Sequence, residues 1–258
     1  MPVLCKIQDG IAIVTLNRPE AMNAIDPETR AELGEMWRQI AHNDDIRCVI
    51  LTGAGDKAFC TGSDLKKTMP PTQSFAQLSF CGNGQGQLTA GMEMDKPLIC
   101  AINGLAFGGG MELALACDIR LASRNAQFAL PEVRLGTIPA AGGTQRLPRL
   151  VSQSDAMKIL LTGDRFDAAE ALRIGLVSDI LEPAQLMPAA LAIAARIALN
   201  APLSVRAIKR LVRTGLDTSL DKALQMEYYV FGLLRDTEDR IEGRRAFQEK
   251  RSPVYRGR

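Results

Sequence analysis

At 258 residues, with 47% hydrophobic and 23% charged side chains, the chain has ordinary globular usage and enough length for a large core plus a small appendage. A net charge of +2 excludes a strong global field drawing it to nucleic acid or to an anionic membrane, and no apolar run approaches the length of a membrane span. Its six cysteines form no C-x-x-C pair and mostly lie in apolar runs, which fits reduced thiols of a cytoplasmic protein and argues against a disulfide frame or a metal site.

In chain order, Val3 to Gln8 and Ile11 to Leu16 read as two strands joined by a tight Asp9-Gly10 turn, and nothing there reads as a signal or transit peptide. Asp26-Pro27 is a helix start, with Leu33, Met36, Trp37 and Ile40 falling on one face behind it. His42, the single histidine, sits at the polar end of that helix, where a solvated role is expected. Cys48 to Leu51 is a buried strand running into Gly53-Ala54-Gly55. The segment 68–94 has no clear period and holds Pro70-Pro71, Gly82, Gly84 and Gly86; it reads as a mobile, partly helical pocket wall. Leu98 to Ile102 is a further strand, followed by a glycine run, a helical run from Leu113 to Cys117, and short strands at Ile119 to Ala122 and Phe128 to Leu130. Asp167 to Ile174 is a short helix stopped by Gly175, before a last apolar strand over Leu176 to Leu181. From Pro183 onward nearly everything is helical. Strands separated by helices, then helices alone, predict an α/β core over residues 1–200 and a helical region over 201–258. No sequence repeat is evident.

Two segments share one local design, a strand running into a small-residue loop that opens a helix: Ala58-Phe59-Cys60-Thr61-Gly62-Ser63-Asp64-Leu65 and Ala106-Phe107-Gly108-Gly109-Gly110-Met111-Glu112. Unpaired N–H groups at two such helix starts, facing one point, can hold a developing oxyanion. Taken singly, either loop is more simply an ordinary strand-to-helix turn. The glycine run lacks the G-x-G-x-x-G spacing of a dinucleotide site. Glu112 stands alone among apolar helix residues, where a carboxylate is costly unless paired, protonated or used. Glu132, in Phe128-Ala129-Leu130-Pro131-Glu132, has similar neighbours, and two such carboxylates can share a water and exchange its protons. By spacing alone, the pair is more simply a helix-start glutamate near the dipole and an unrelated loop carboxylate. The run Ile138 to Leu147 carries no side chain of catalytic type and reads as a structural turn seating the loop before it. Phe247 to Pro253 is basic on balance, a solvated helix end or a source of charge for a phosphate.

Together these segments resemble the enoyl-CoA hydratase/isomerase (crotonase) family over almost the whole chain. The resemblance is carried by Leu16 to Ala24, Ala58 to Leu65, Lys96 to Asp118, Leu130 to Leu147, Leu161-Thr162-Gly163, Gly175-Leu176-Val177 and Phe247 to Pro253. It implies a spiral of β-β-α repeats, followed by a helical trimerisation region that builds a homotrimer or a hexamer of two trimers. It implies an acyl-CoA substrate, with coenzyme A part of that substrate and no separate cofactor. The oxyanion-hole N–H groups match Ser63 and Gly109, and the two hydratase acids match Glu112 and Glu132. CoA contacts match Ala21, Ala24, Thr61, Asp64, Leu65 and Lys66. Thr61 and Ser63 stand where alanine is more usual in the family. Both acids being present favours hydration of a trans-2-enoyl-CoA over double-bond isomerisation. The other readings are a specialised hydratase of the methylglutaconyl or carnitinyl type, a non-catalytic CoA- or RNA-binding member, and a nicotinamide-dependent oxidoreductase.

Overall fold

The computed structural model describes residues 1–68 and 88–258. Asp9 and Gly10 both take positive φ, 51° and 74°, the turn geometry that matches the twist of a hairpin. It closes β1 (Val3–Gln8) antiparallel onto β2 (Ile11–Leu16). Asp26 caps α1 (Pro27–His42), its carboxylate accepting from the Thr29 N–H at 2.9 Å. The Leu33–Trp37–Ile40 face of α1 is buried, and His42 is exposed at the helix end.

From here the chain winds. β3 (Cys48–Gly53) joins a large sheet, β4 (Ala58–Cys60) joins a small one, and the short helix α2 (Leu65–Thr68) follows. The next turn repeats the pattern with β5 (Leu98–Ile102), β6 (Leu105–Phe107) and α3 (Gly109–Ala116). A third uses β7 (Ile119–Ser123), β8 (Gln127–Ala129) and a 3-10 turn over Pro131–Leu135. Each turn adds one strand to each sheet, so β3, β5 and β7 are parallel neighbours in one, and β4, β6 and β8 in the other. The repeat that composition and spacing did not reveal is therefore geometric. Parallel neighbours lie about 4.8 Å apart, so the loops leaving the carboxyl ends of β4, β6 and β8 meet at one edge.

The chain continues through α4 (Gly143–Leu150), α5 (Gln153–Thr162), β9 (Phe166–Asp167), α6 (Ala168–Arg173) and β10 (Asp179–Leu181). β9 completes a four-stranded sheet and β10 a six-stranded one. The last strand is shorter than the apolar run Leu176 to Leu181 predicts, because the N–H groups of Leu176 and Val177 turn back onto the Ala171 carbonyl. The helix after the glycine run starts at Gly109 and includes Glu112, as the sequence reading places it. α7 (Pro183–Ala198) covers one face of the large sheet, burying Leu186, Ala190 and Ala194 against Ile50, Ile99 and Leu121. The opposite face packs with α1 and the small sheet in the main core. α8 (Pro202–Gly215), α9 (Leu220–Leu234) and α10 (Glu238–Glu249) complete the fold. Buried Lys209 ties α8 to the core, donating to the Lys96 carbonyl at 2.7 Å and pairing with Asp118 at 2.7 Å.

Among the described cysteines, Cys48, Cys60, Cys100 and Cys117 are buried free thiols and Cys5 is half-buried; Cys81 lies outside the described residues. Most of the 68–94 segment read as a pocket wall also lies outside them. No single helix among the described residues is long and apolar enough to cross a membrane.

Candidate active site

The loops after β4 and β6 are in direct contact. Gly62 adopts φ +85°, and a Cβ built on it would lie 3.0 Å from the Gly109 nitrogen, so residue 62 lies against the start of α3 and leaves that N–H uncovered only as glycine. Gly109 is the first residue of α3, where a helix has no internal acceptor for its N–H. Ser63 makes an isolated parallel bridge to Ile25. The bonds of that bridge come from its neighbours, with Ile25 N–H donating to the Gly62 carbonyl and Asp64 N–H to the Ile25 carbonyl, at 2.8 and 2.9 Å. The Ser63 N–H therefore faces away from the bridge. Two N–H groups, from Ser63 and Gly109, are thus presented where successive turns of the spiral touch.

Glu112 lies on the first turn of α3 and is 4% exposed. Its Oε1 accepts from the Ala141 N–H at 2.7 Å and the Gly143 N–H at 2.8 Å. Burial pushes its pKa above the ordinary glutamate range, against the two backbone N–H groups and the positive charges of Arg146 and Arg30. Glu132 lies in the 3-10 turn after β8, half-buried, and a Cβ on Gly108 would come within 3.0 Å of its Oε1. Its Oε2 is buried with no hydrogen-bond partner among the described residues. Burial also raises this pKa, its own N–H works against that, and the charge of Glu112 adds to the rise. The two carboxylates are electrostatically coupled but held differently: Glu112 is bonded and faced by cations, whereas Glu132 has little to stabilise its charge.

The segments matched to CoA contacts are brought to the same side. Thr61 Oγ donates to the Met22 carbonyl at 3.3 Å, placing Ala21 and Ala24 beside the Thr61–Lys66 loop. Ala21 is half-buried and Ala24 buried, while the side chains of Leu65 and Lys66 are exposed. Asp64 is held from within the protein, its Oδ2 accepting from Arg18 Nη2 at 2.9 Å. The same arginine lies 3.4 Å from Asp26, which Lys67 also approaches at 2.6 Å, so the loop is pinned by an interlocked set of charges. Burial works to raise the Asp26 pKa, but Lys67, Thr29 and Arg18 outweigh it and hold that carboxyl well below the usual range.

The run 138–147, read from sequence as a structural turn, supplies both N–H groups that bind Glu112. Its Ala140-Ala141-Gly142-Gly143 composition permits close backbone approach, a signal that a search for reactive side chains passes over. The cavity of about 810 Å³ between the β1–β2 hairpin and α7, lined by Lys6, Gln8, Asp45 and Leu191 among others, contains none of these residues.

Two sheets fed by successive β-β-α turns, with two N–H groups and two glutamates, one buried and one half-buried, where the turns meet, define a crotonase-type α/β enzyme. The family model for enoyl-CoA hydratase/isomerase matches residues 6–258, and the chain belongs to that family. It is 51% identical over 257 residues to (E)-benzylidenesuccinyl-CoA hydratase of Thauera aromatica, covering 100% of both chains. It is 41% identical over 249 residues to short-chain-enoyl-CoA hydratase of Clostridium acetobutylicum, covering 96% of this chain and 95% of that one. The crystal structure of an enoyl-CoA hydratase from Bacillus anthracis superposes with a TM-score of 0.92 at 38% identity, over 100% of both chains.

Proposed function

We propose that this enzyme reversibly hydrates a trans-2-enoyl-CoA to the 3-hydroxyacyl-CoA. The observation that carries the reading is a buried Glu112 and a half-buried Glu132, its Oε2 unpartnered among the described residues, beside two uncovered N–H groups. The thioester oxygen accepts from Ser63 and Gly109, which polarises the conjugated system and makes C3 electrophilic. A water held between Glu112 and Glu132 attacks C3. Glu112, whose carboxylate is held by the Ala141 and Gly143 N–H groups and faced by the arginines, takes the proton from that water. Glu132, whose surroundings favour its neutral form, gives a proton to C2 as enolate character collapses. One water is added, and the proton lost by Glu132 is balanced by the one gained by Glu112. Burial raises both pKa values, so the base is assigned from the N–H groups that hold the Glu112 carboxylate and the acid from the Oε2 of Glu132, unpartnered among the described residues; the pair titrates as a unit. No metal or separate cofactor is required, because the substrate brings its own thioester activation.

Exposed apolar side chains on α8 and α9, including Ile208, Val212, Leu220, Leu224, Tyr228 and Phe231, support assembly of residues 201–258 into a homotrimer or hexamer around a core over 1–200. The free thiols support a cytoplasmic setting. The test of the activity is loss of the ultraviolet absorbance of crotonyl-CoA on adding the wild-type protein. Turnover supports the reading, and inactivity across a panel of enoyl-CoA thioesters contradicts it.

A second reading concerns the acyl group. Arg30 is half-buried on α1 and its charge reaches Glu112, and the Thauera relative is named for a succinyl thioester, which has a free carboxylate. A substrate whose acyl group carries a free carboxylate, paired to Arg30, fits both facts. It predicts that Arg30→Met lowers kcat/KM for a carboxylated enoyl-CoA far more than for crotonyl-CoA; equal losses contradict it.

A further inference from the structure

We propose that Arg146 is a positioning residue for Glu112, acting through the backbone of Ala141; this deepens, and rests on, the hydratase reading. The guanidinium of Arg146, on the first turn of α4, donates from Nη1 to the Ala141 carbonyl at 2.7 Å. The N–H of the same residue donates to Glu112 Oε1. Ala141 is thus held on both sides, by a cation at its carbonyl and by the carboxylate at its N–H. Thr89, fully buried, closes the arrangement: its hydroxyl lies 3.4 Å from the Ala141 carbonyl and 3.3 Å from Arg146 Nη1.

Residue 142 makes this possible. Gly142 has φ +106°, and a Cβ built on it would overlap Arg146 Nη1, so the guanidinium lies folded over a bare backbone position. The Gly142 carbonyl in turn accepts the Arg146 N–H at 2.7 Å, starting α4. One short circuit therefore links the arginine, the turn it begins from and the two N–H groups aimed at Glu112. None of these donors lies on a residue whose side chain does chemistry.

The charge has its own consequence. Groups acting on Glu112 come from three elements: Arg146 from α4, Arg30 from α1, and Glu132 from the 3-10 turn. Arg146 itself faces Glu93, whose Oε1 lies 3.3 Å from Nη2. Arg146 favours ionised Glu112, the form required of a base, and Glu93 weakens that effect from the protein surface.

The test compares wild-type, Arg146→Gln, Arg146→Lys and Glu93→Gln proteins in enoyl-CoA hydration across pH. Alongside it runs the carbon-13 titration of the Glu112 carboxyl in glutamate-labelled protein, assigned by its loss in Glu112→Gln. Arg146→Gln is expected to lower kcat roughly 10- to 100-fold, as loss of an orienting partner does at other sites, with KM nearly unchanged. The acid limb of kcat and the Glu112 titration both move to higher pH. Arg146→Lys returns both toward wild type, and Glu93→Gln moves them the opposite way, to lower pH. A Glu112 titration unmoved in both Arg146→Gln and Glu93→Gln overturns the proposal. If Arg146→Gln fails to fold, Glu93→Gln decides by the same criterion. The titration needs no turnover, so a wild-type protein inactive on every enoyl-CoA sinks the hydratase reading separately.

Discussion

Gly62 rests against Gly109 so closely that a side chain at position 62 would set its Cβ 3.0 Å from the Gly109 nitrogen. The contact joins the first and second turns of the spiral at the point where the proposed function holds an oxyanion. Gly62→Ala should put a methyl against that N–H and lower kcat by about 10²–10³, the range for losing one oxyanion donor. A wild-type kcat in this variant would contradict the assignment of Gly109.

The neighbouring Gly110 gives the opposite signature. A Cβ there overlaps the Cys60 carbonyl, a backbone atom that cannot swing aside. Gly110→Ala should therefore act on stability, at or above the upper end of the roughly 1–3 kcal/mol typical of overpacking. Urea midpoints of the two variants distinguish a damaged site from a damaged seam.

Stability should also depend on pH through Glu132. Burial raises its folded pKa above the ordinary 4.5, so the folded state binds this proton more tightly than the unfolded chain does. The contribution is present below that ordinary value and is lost as pH rises through the raised one. Glu132→Met removes the titration, so its melting temperature relative to wild type should climb as pH rises from 4.5. At alkaline pH the variant's unfolding free energy should exceed that of wild type by about 1–3 kcal/mol, the cost of an unpaired buried polar group. A difference that is flat with pH would contradict this.

Asp26 behaves in the reverse sense. Its folded pKa is lowered below 3.8, so its contribution is present above that value and fades as pH falls. Asp26→Ala loses the α1 cap, typically about 0.5–2 kcal/mol, and leaves Arg18 and Lys67 without their shared partner. The destabilisation should be largest near neutral pH and shrink below 3.8, as read from urea unfolding at each pH.

Features fixed by neighbouring residues were legible in the sequence. The Asp9-Gly10 turn and the Asp26-Pro27 helix start depend on local backbone preferences, and both form as expected. Glu112 stood out because a carboxylate in an otherwise apolar helix has few uses. What holds Glu112 was not legible, since Ala141 and Gly143 act through N–H groups that every non-proline residue possesses. The spiral itself shows no sequence period, because Thr61-Gly62-Ser63, Gly108-Gly109-Gly110 and Leu130-Pro131-Glu132 share a place after parallel strands and little composition. Their convergence depends on sheet order, which local patterns do not encode.

The central claim is that Glu112 and Glu132 work on one water as a unit, and the most direct measurement is crotonyl-CoA hydration by Glu112→Gln, Glu132→Gln and the double variant. The account predicts that each single change lowers kcat by about 10²–10⁴, the usual range for an acid or base. The double variant should be hardly worse than the poorer single one, as for residues that act together. Near-wild-type turnover in either single variant, or losses that multiply in the double, would contradict it.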